Sequence, residues 1–193
     1  MGEGSRFLRV LGLDPGTLRC GYCVLDYTAG TARLVELGTW SLGHEQRDLG
    51  YRLEHLSSEL RALLTTHNPQ RVGLERAVSF RNVASALVLS EARGVCRLAV
   101  FETLAHAERR LVEISPTQVK KAAVGYGSAS KDQVSRFLAK RFRMTEPQAA
   151  ALGPDSFDAV AVAWATCLVL AKEGVRSGRG GIDGNELRSA DQG

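Results

Sequence analysis

No run of apolar residues in this chain is expected to reach the ~20 needed to cross a bilayer, and no N-terminal stretch has the charged, apolar and small-residue layout of a secretory leader. A cytoplasmic protein with no membrane association is the expectation. Cysteine is scarce, with four in 193 residues, and without a leader these read as reduced thiols rather than a disulfide framework. Cys20-Gly-Tyr-Cys23 has C-x-x-C spacing, but Cys96 and Cys167 stand alone and supply no second pair for zinc. The motif also lies inside a strand-like run instead of opening a helix, so structural cysteines are expected. Internal repeats are absent as well.

What is present is an ordinary globular composition, 44% hydrophobic and 24% charged, enough for one domain with a real core. That domain is assigned to residues 1–174. Residues 175–193, beginning around Ser177-Gly-Arg-Gly-Gly181, lack apolar periodicity and read as a disordered tail.

Residues 7–14, 19–27 and 31–42 read as three consecutive strands joined by turns at Pro15-Gly16 and Ala29-Gly30, an antiparallel meander. The period then changes. Leu49, Leu53, Leu56, Leu60, Leu63 and Leu64 follow helical spacing up to Asn68-Pro69. Arg71–Glu75 is a fourth strand, an alanine-rich helix follows from near Asn82, and Arg110–Ile114 is a fifth strand. Ser115-Pro116 caps a short helix to about Val124, and Ser130 with Gln133 forms a capping box for the next. A last long helix runs from near Pro154 to Gly174. This order describes an α/β protein with a five-stranded mixed sheet flanked by helices, the ribonuclease-H-like fold.

Four acids are hard to explain as surface decoration. Asp14 ends the apolar run Phe7-Leu-Arg-Val-Leu-Gly-Leu-Asp14, and Glu75 ends Arg71-Val-Gly-Leu-Glu75. Asp155 and Asp158 share one face of an apolar helix by their i,i+3 spacing. Asp14 before Pro-Gly has an alternative role as a turn residue, and Asp155 as a helix cap; Asp158, inside the helix, has neither. Clustered carboxylates repel unless a cation lies among them, and oxygen-only ligands favour Mg²⁺ or Mn²⁺ over zinc. Metal-dependent phosphoryl transfer is the resulting expectation, with Asp14 central to two metal ions per site.

The overall charge is only +4, but its distribution is uneven. Between Ser115 and Arg143, Lys120, Lys121, Lys131, Arg136, Lys140, Arg141 and Arg143 face Asp132 alone, a net +6. A basic stretch beside an acidic metal site suits a nuclease, which must attract phosphate before coordinating metal on it.

These residues resemble the RuvC-type Holliday junction resolvases over residues 7–173. The resemblance is carried by Leu11-Gly-Leu-Asp14-Pro-Gly-Thr17 with Gly21-Tyr22, by Glu75 with Asn82, Ser85-Ala-Leu87 and Glu91-Ala-Arg-Gly-Val95, by Pro116-Thr-Gln-Val-Lys120-Lys, Val124-Gly-Tyr-Gly-Ser128 and Lys131, and by Asp155-Ser-Phe-Asp158-Ala. It implies a homodimeric Mg²⁺- or Mn²⁺-dependent endonuclease that cuts two opposing strands of a four-way DNA junction symmetrically in recombination and repair. It further implies cooperation with the RuvA and RuvB branch-migration proteins. On it, Asp14, Glu75, Asp155 and Asp158 are the catalytic acids, and Lys120 and Lys131 lie near the DNA backbone. One departure stands out: the family's aromatic three residues after the catalytic Glu is Val78 here, with Phe80 as its candidate replacement. Arg76, Phe80, Arg81 and Asn82 are the candidate crossover contacts, since aromatics stack on unpaired bases.

Three other readings compete. Asp-x-Gly-Thr also opens the nucleotide site of actin-like ATPases and sugar kinases, but these need a second phosphate loop and a longer, duplicated chain. A ribonuclease-H-like enzyme acting on RNA or linear DNA fits the same composition. A non-catalytic junction-binding module would have lost one or more of the acids, and all four are present.

Overall fold

A computed structural model of the chain describes residues 7–28, 30–76, 83–145 and 152–176. The opening meander forms as expected: β1 (Leu8–Asp14), β2 (Arg19–Thr28) and β3 (Thr31–Ser41) pair antiparallel in succession. Helix α1 (Leu49–His67) starts where the Asp48 side chain accepts the Gly50 N–H at 2.8 Å, and stops at Asn68, whose φ of 39° is left-handed. Strand β4 (Arg71–Glu75) then pairs parallel with β1, and β5 (Leu111–Ile114) parallel with β4. The sheet order is β3-β2-β1-β4-β5, so the five-stranded mixed sheet of a ribonuclease-H-like fold is confirmed.

Between β4 and β5 lie α2 (Val83–Thr103) and a short α3 (Ala107–Arg110) that periodicity did not reveal. Arg110 therefore ends a helical turn instead of opening β5; four residues are too few to show a period. Helices α4 (Pro116–Val124) and α5 (Lys131–Arg141) both open on the complete Ser-x-x-Gln capping boxes read from sequence. The final helix, α6 (Pro154–Arg176), continues past Gly174, where the sequence reading ended it. A glycine costs a helix only about 1 kcal/mol, too little to stop one already propagating. By length and composition alone, Pro154–Glu173 also passes as a membrane span, contrary to expectation. It is instead the core helix of the sheet, with Ala159–Cys167 buried throughout.

The sheet separates two cores. One side packs Leu11, Leu13, Cys20 and Val24 against α1 and α2, and the other packs Val10, Cys23 and Leu25 against α4, α5 and α6. Strand alternation assigns Cys20 and Cys23, three residues apart, to opposite faces, so one ion cannot bind both. All four thiols are free and buried, as expected of structural cysteines.

Alternation also explains how α6 lies so close. Gly12 on β1 shares the α6 face with Val10, and Gly73 on β4 and Gly21 on β2 share that face. Gly12 pairs with Gly73, and Asp14 with Gly21, so the three glycines cut a diagonal trough across three strands. A Cβ on Gly12 would meet Ala159 and Ala163, one on Gly73 would meet Thr166 and Val162, and one on Gly21 would meet the carbonyl of Asp155. The helix backbone thus rests on the sheet. Ser156, buried in its first turn, shares a 2.7 Å hydrogen bond with Thr39 of β3. Trp164 donates through Nε1 to the Ala122 carbonyl at 3.0 Å, joining α4 to the same helix.

Gly12→Ala forces α6 off this seat without adding a polar group. It should lower unfolding free energy by about 2–3 kcal/mol, measured by chemical denaturation; an unchanged midpoint would show that the trough does not determine the helix position.

Candidate active site

Asp14 is two residues past Gly12, and Glu75 two past Gly73, so both acids share the face on which α6 lies. The parallel pair Leu13–Leu74 immediately precedes them, making Asp14 and Glu75 neighbours at the strand ends. Asp155 and Asp158 occupy the first turns of α6, which the Gly21 contact brings down on the same edge. All four sequence-identified acids therefore meet at one place.

Their mutual influence is visible in Asp14. Burial, then the carboxylates of Asp158 and Glu75, raise its carboxyl from the usual 3.8 to about 7, with Asp155 adding a smaller push and Lys131 opposing it. Glu75 is likewise raised, first by burial and then by Asp158, against the pull of Lys131, Arg93 and Lys120. Two cations hold Asp155 and Asp158: Lys131 Nζ donates to Asp158 Oδ2 at 2.5 Å, and Arg19 Nε lies 3.0 Å from Asp155 Oδ2. Hydrogen bonding to Asp158 in turn raises the Lys131 ammonium. Among the described residues no three side chains form a closed set of metal ligands. Two of the four carboxylates are instead paired with a cationic side chain, Asp158 with Lys131 and Asp155 with Arg19. The donors are all hard oxygens and two are penalised for holding charge, so the set fits a hard divalent cation.

The basic residues divide. Lys131, at the start of α5, touches the site directly, whereas Lys120 on α4 reaches it only electrostatically, through Glu75. Arg76 follows Glu75 on the surface; its N–H bonds the Ile114 carbonyl at 2.7 Å and its Nε lies 3.7 Å from Glu113. Val78, Phe80, Arg81 and Asn82 lie outside the described residues.

Two arginines escaped the sequence reading. Arg93 on α2 is nearly buried, pairs with Glu113 at 3.3 Å and acts on Glu75; its signal was a charged residue beside the inward-facing Ala92 and Cys96. Arg19 opens β2 inside the first motif, and the hairpin returning past Asp14 was the clue to its place.

The family model for the crossover junction endodeoxyribonuclease RuvC matches residues 10–166. This chain belongs to the RuvC family. RuvC of Roseiflexus sp. (strain RS-1) is 38% identical over 155 residues, covering 80% of this chain and 88% of that protein. RuvC of Xanthobacter autotrophicus (strain ATCC BAA-1158 / Py2) is 37% identical over 156 residues, covering 81% and 87%. Among solved structures, T. thermophilus RuvC in complex with Holliday junction substrate is similar with a TM-score of 0.75 at 24% identity, covering 89% of this chain and 97% of that one. The yeast mitochondrial Holliday junction resolvase Ydc2 is similar at 0.59 and 17%, covering 88% and 84%. These structural likenesses establish the shared fold.

Asp14 supplies a sign that stability measurements can read. Its folded carboxyl titrates near 7 against 3.8 when unfolded, so the folded state holds its proton longer. Its contribution is fully present below about pH 4 and is lost as pH rises through 7. In chelator-treated protein, Asp14→Asn should remove that decline and leave the variant more stable than the parent at pH 8, by on the order of 2 kcal/mol. Parallel pH profiles for the two proteins in urea denaturation would contradict the crowding of these acids.

Proposed function

We propose that the chain resolves four-way DNA junctions by paired hydrolysis of two opposing strands, in recombination and repair. The supporting observation is the convergence of Asp14, Glu75, Asp155 and Asp158 at one sheet edge in a member of the RuvC family. These four carboxylates would hold Mg²⁺ or Mn²⁺, two ions per site. When bound there, the cations activate water and relieve charge on the phosphoryl and departing 3′ oxygens.

The chain's own residues do the rest. Asp14, buried and crowded, supplies a carboxylate whose charge is relieved by a proton or by a cation, so a bound divalent ion competes with the proton and favours the charged form. Lys131 balances Asp158 and stands where a phosphate would meet a positive charge; Lys120 extends that potential toward Glu75. Arg76, with Phe80, Arg81 and Asn82, is assigned to the crossover, Phe80 standing in for the aromatic that Val78 lacks. The basic segment of residues 115–143 surrounds both lysines and steers DNA toward the acids.

A homodimer belongs to the same proposal, because a two-fold substrate cut at paired positions calls for two sites related by that symmetry. Helix α2 offers the surface. Ala92, Cys96, Ala99 and Val100 face the core, while Val83 (73% exposed), Leu87 (63%), Leu98 (55%) and Phe101 (52%) line the opposite side with the small residues Ser90 and Gly94. A Cβ at Gly94 would meet nothing, so a second helix has room to approach. Family membership also favours cooperation with RuvA and RuvB, action in the cytoplasm, and one nuclease domain over residues 1–174 followed by a C-terminal tail.

Side-by-side cleavage of a four-way junction, a duplex and an RNA–DNA hybrid tests the reaction; preference for either linear substrate would overturn it. Asp14→Asn, Glu75→Gln, Asp155→Asn and Asp158→Asn should each reduce junction cleavage at least ~100-fold and spare junction binding in gel-shift assays. For the dimer, Leu98→Asp combined with Phe101→Asp should halve the mass seen by analytical ultracentrifugation and cost paired cutting, and a dimer that survives the double change must use another face.

A further inference from the structure

Among the described residues two cations contact the four carboxylates at this edge, and of these only Lys131 belongs to the set implied by the family resemblance. The other is Arg19. It leaves the first residue of β2, 60% exposed along its side chain, and its Nε lies 3.0 Å from Asp155 Oδ2. An exposed ion pair usually contributes little because two long side chains must be ordered to make it. Here both backbones are already fixed. The Arg19 carbonyl lies 2.5 Å from where a Cβ on Gly16 would stand, so the turn after Asp14 closes directly over it. Arg19 pairs with Ser41 across the β2–β3 ladder, and the Leu42 N–H donates to the Leu18 carbonyl at 2.9 Å. At the other end, the Asp155 carbonyl is seated on Gly21, and Ser156 is bonded to Thr39. The guanidinium also spans the entry to α6, with one terminal nitrogen 3.5 Å from the Cβ position of Gly153. Asp155 held in this way still acts on Asp14.

We propose that Arg19 is a positioning residue for the metal site: it fixes the Asp155 carboxylate by one oxygen, leaving the other for a divalent cation. The assignment rests on reading the four acids as metal ligands. Partners of ligating carboxylates typically change metal affinity by about 10–100-fold when removed. Arg19 performs for Asp155 what Lys131 performs for Asp158, so each of these two acids has its own cation on a different element.

The test is direct Mn²⁺ binding, followed by the electron paramagnetic resonance of free Mn²⁺, on the full chain and on Arg19→Ala, Arg19→Lys, Asp155→Asn and the Arg19→Ala/Asp155→Asn double variant. Arg19→Ala should weaken binding about 10-fold, Arg19→Lys should recover part of the loss, and Arg19→Ala should add nothing in the Asp155→Asn background. Unchanged or tighter Mn²⁺ binding by Arg19→Ala overturns the proposal, since the arginine would then be neutral or a competitor for Asp155. An equal loss in the Asp155→Asn background also overturns it. So does a raised KM for the junction with Mn²⁺ binding unaltered, which would make Arg19 a DNA contact. Should Asp155→Asn itself bind Mn²⁺ like the parent, the metal reading of Asp155 fails and the proposal with it, an outcome distinct from a failure of Arg19 alone.

Discussion

The seating of α6 on Gly12, Gly21 and Gly73 is the contact on which the rest depends. A helix normally stands about 10 Å from its neighbour because side chains intervene, whereas here backbone meets sheet with little between. That closeness does two things together. It buries the stretch Ala159–Cys167, apolar but for Thr166, which anchors one core, and it lowers the first turn of the helix onto the ends of β1 and β4. Packing and placement of Asp155 and Asp158 are therefore one event.

The cost appears in electrostatics. Bringing four carboxylates together works against folding, as the raised Asp14 and Glu75 carboxyls record. The protein offsets this with cations from two further positions: Lys131 from α5 and Arg19 from the start of β2. Both cations come from elements with anchors of their own, α5 through its capping box and β2 through its pairing with β3.

The meander, the helical spacing of the leucines and the two capping boxes were legible because each is local: turn residues, period and cap fall within a few positions. The four acids were legible for a different reason. A charged side chain at the end of an apolar run conflicts with its surroundings, and such conflicts mark function. What escaped depends on pairing across the sheet. Arg19 opposite the Asp14 turn, Arg93 behind Glu75 and the glycine diagonal are all set by register, which composition does not carry. The short α3 and the extension of α6 through Gly174 were hidden because the first has no period and the second breaks a rule weaker than the helix around it.

The placement of the thiols has a consequence for their reactivity. Burial raises the Cys23 and Cys167 sulfurs above their ordinary range, and hydrogen bonding to Cys96 and burial do so for Cys20. Peroxides attack the thiolate, and these groups remain protonated and shielded. A nuclease of this family is thereby built with Cys20, Cys23 and Cys167 kept unreactive toward peroxide by the same packing that holds its sheet together.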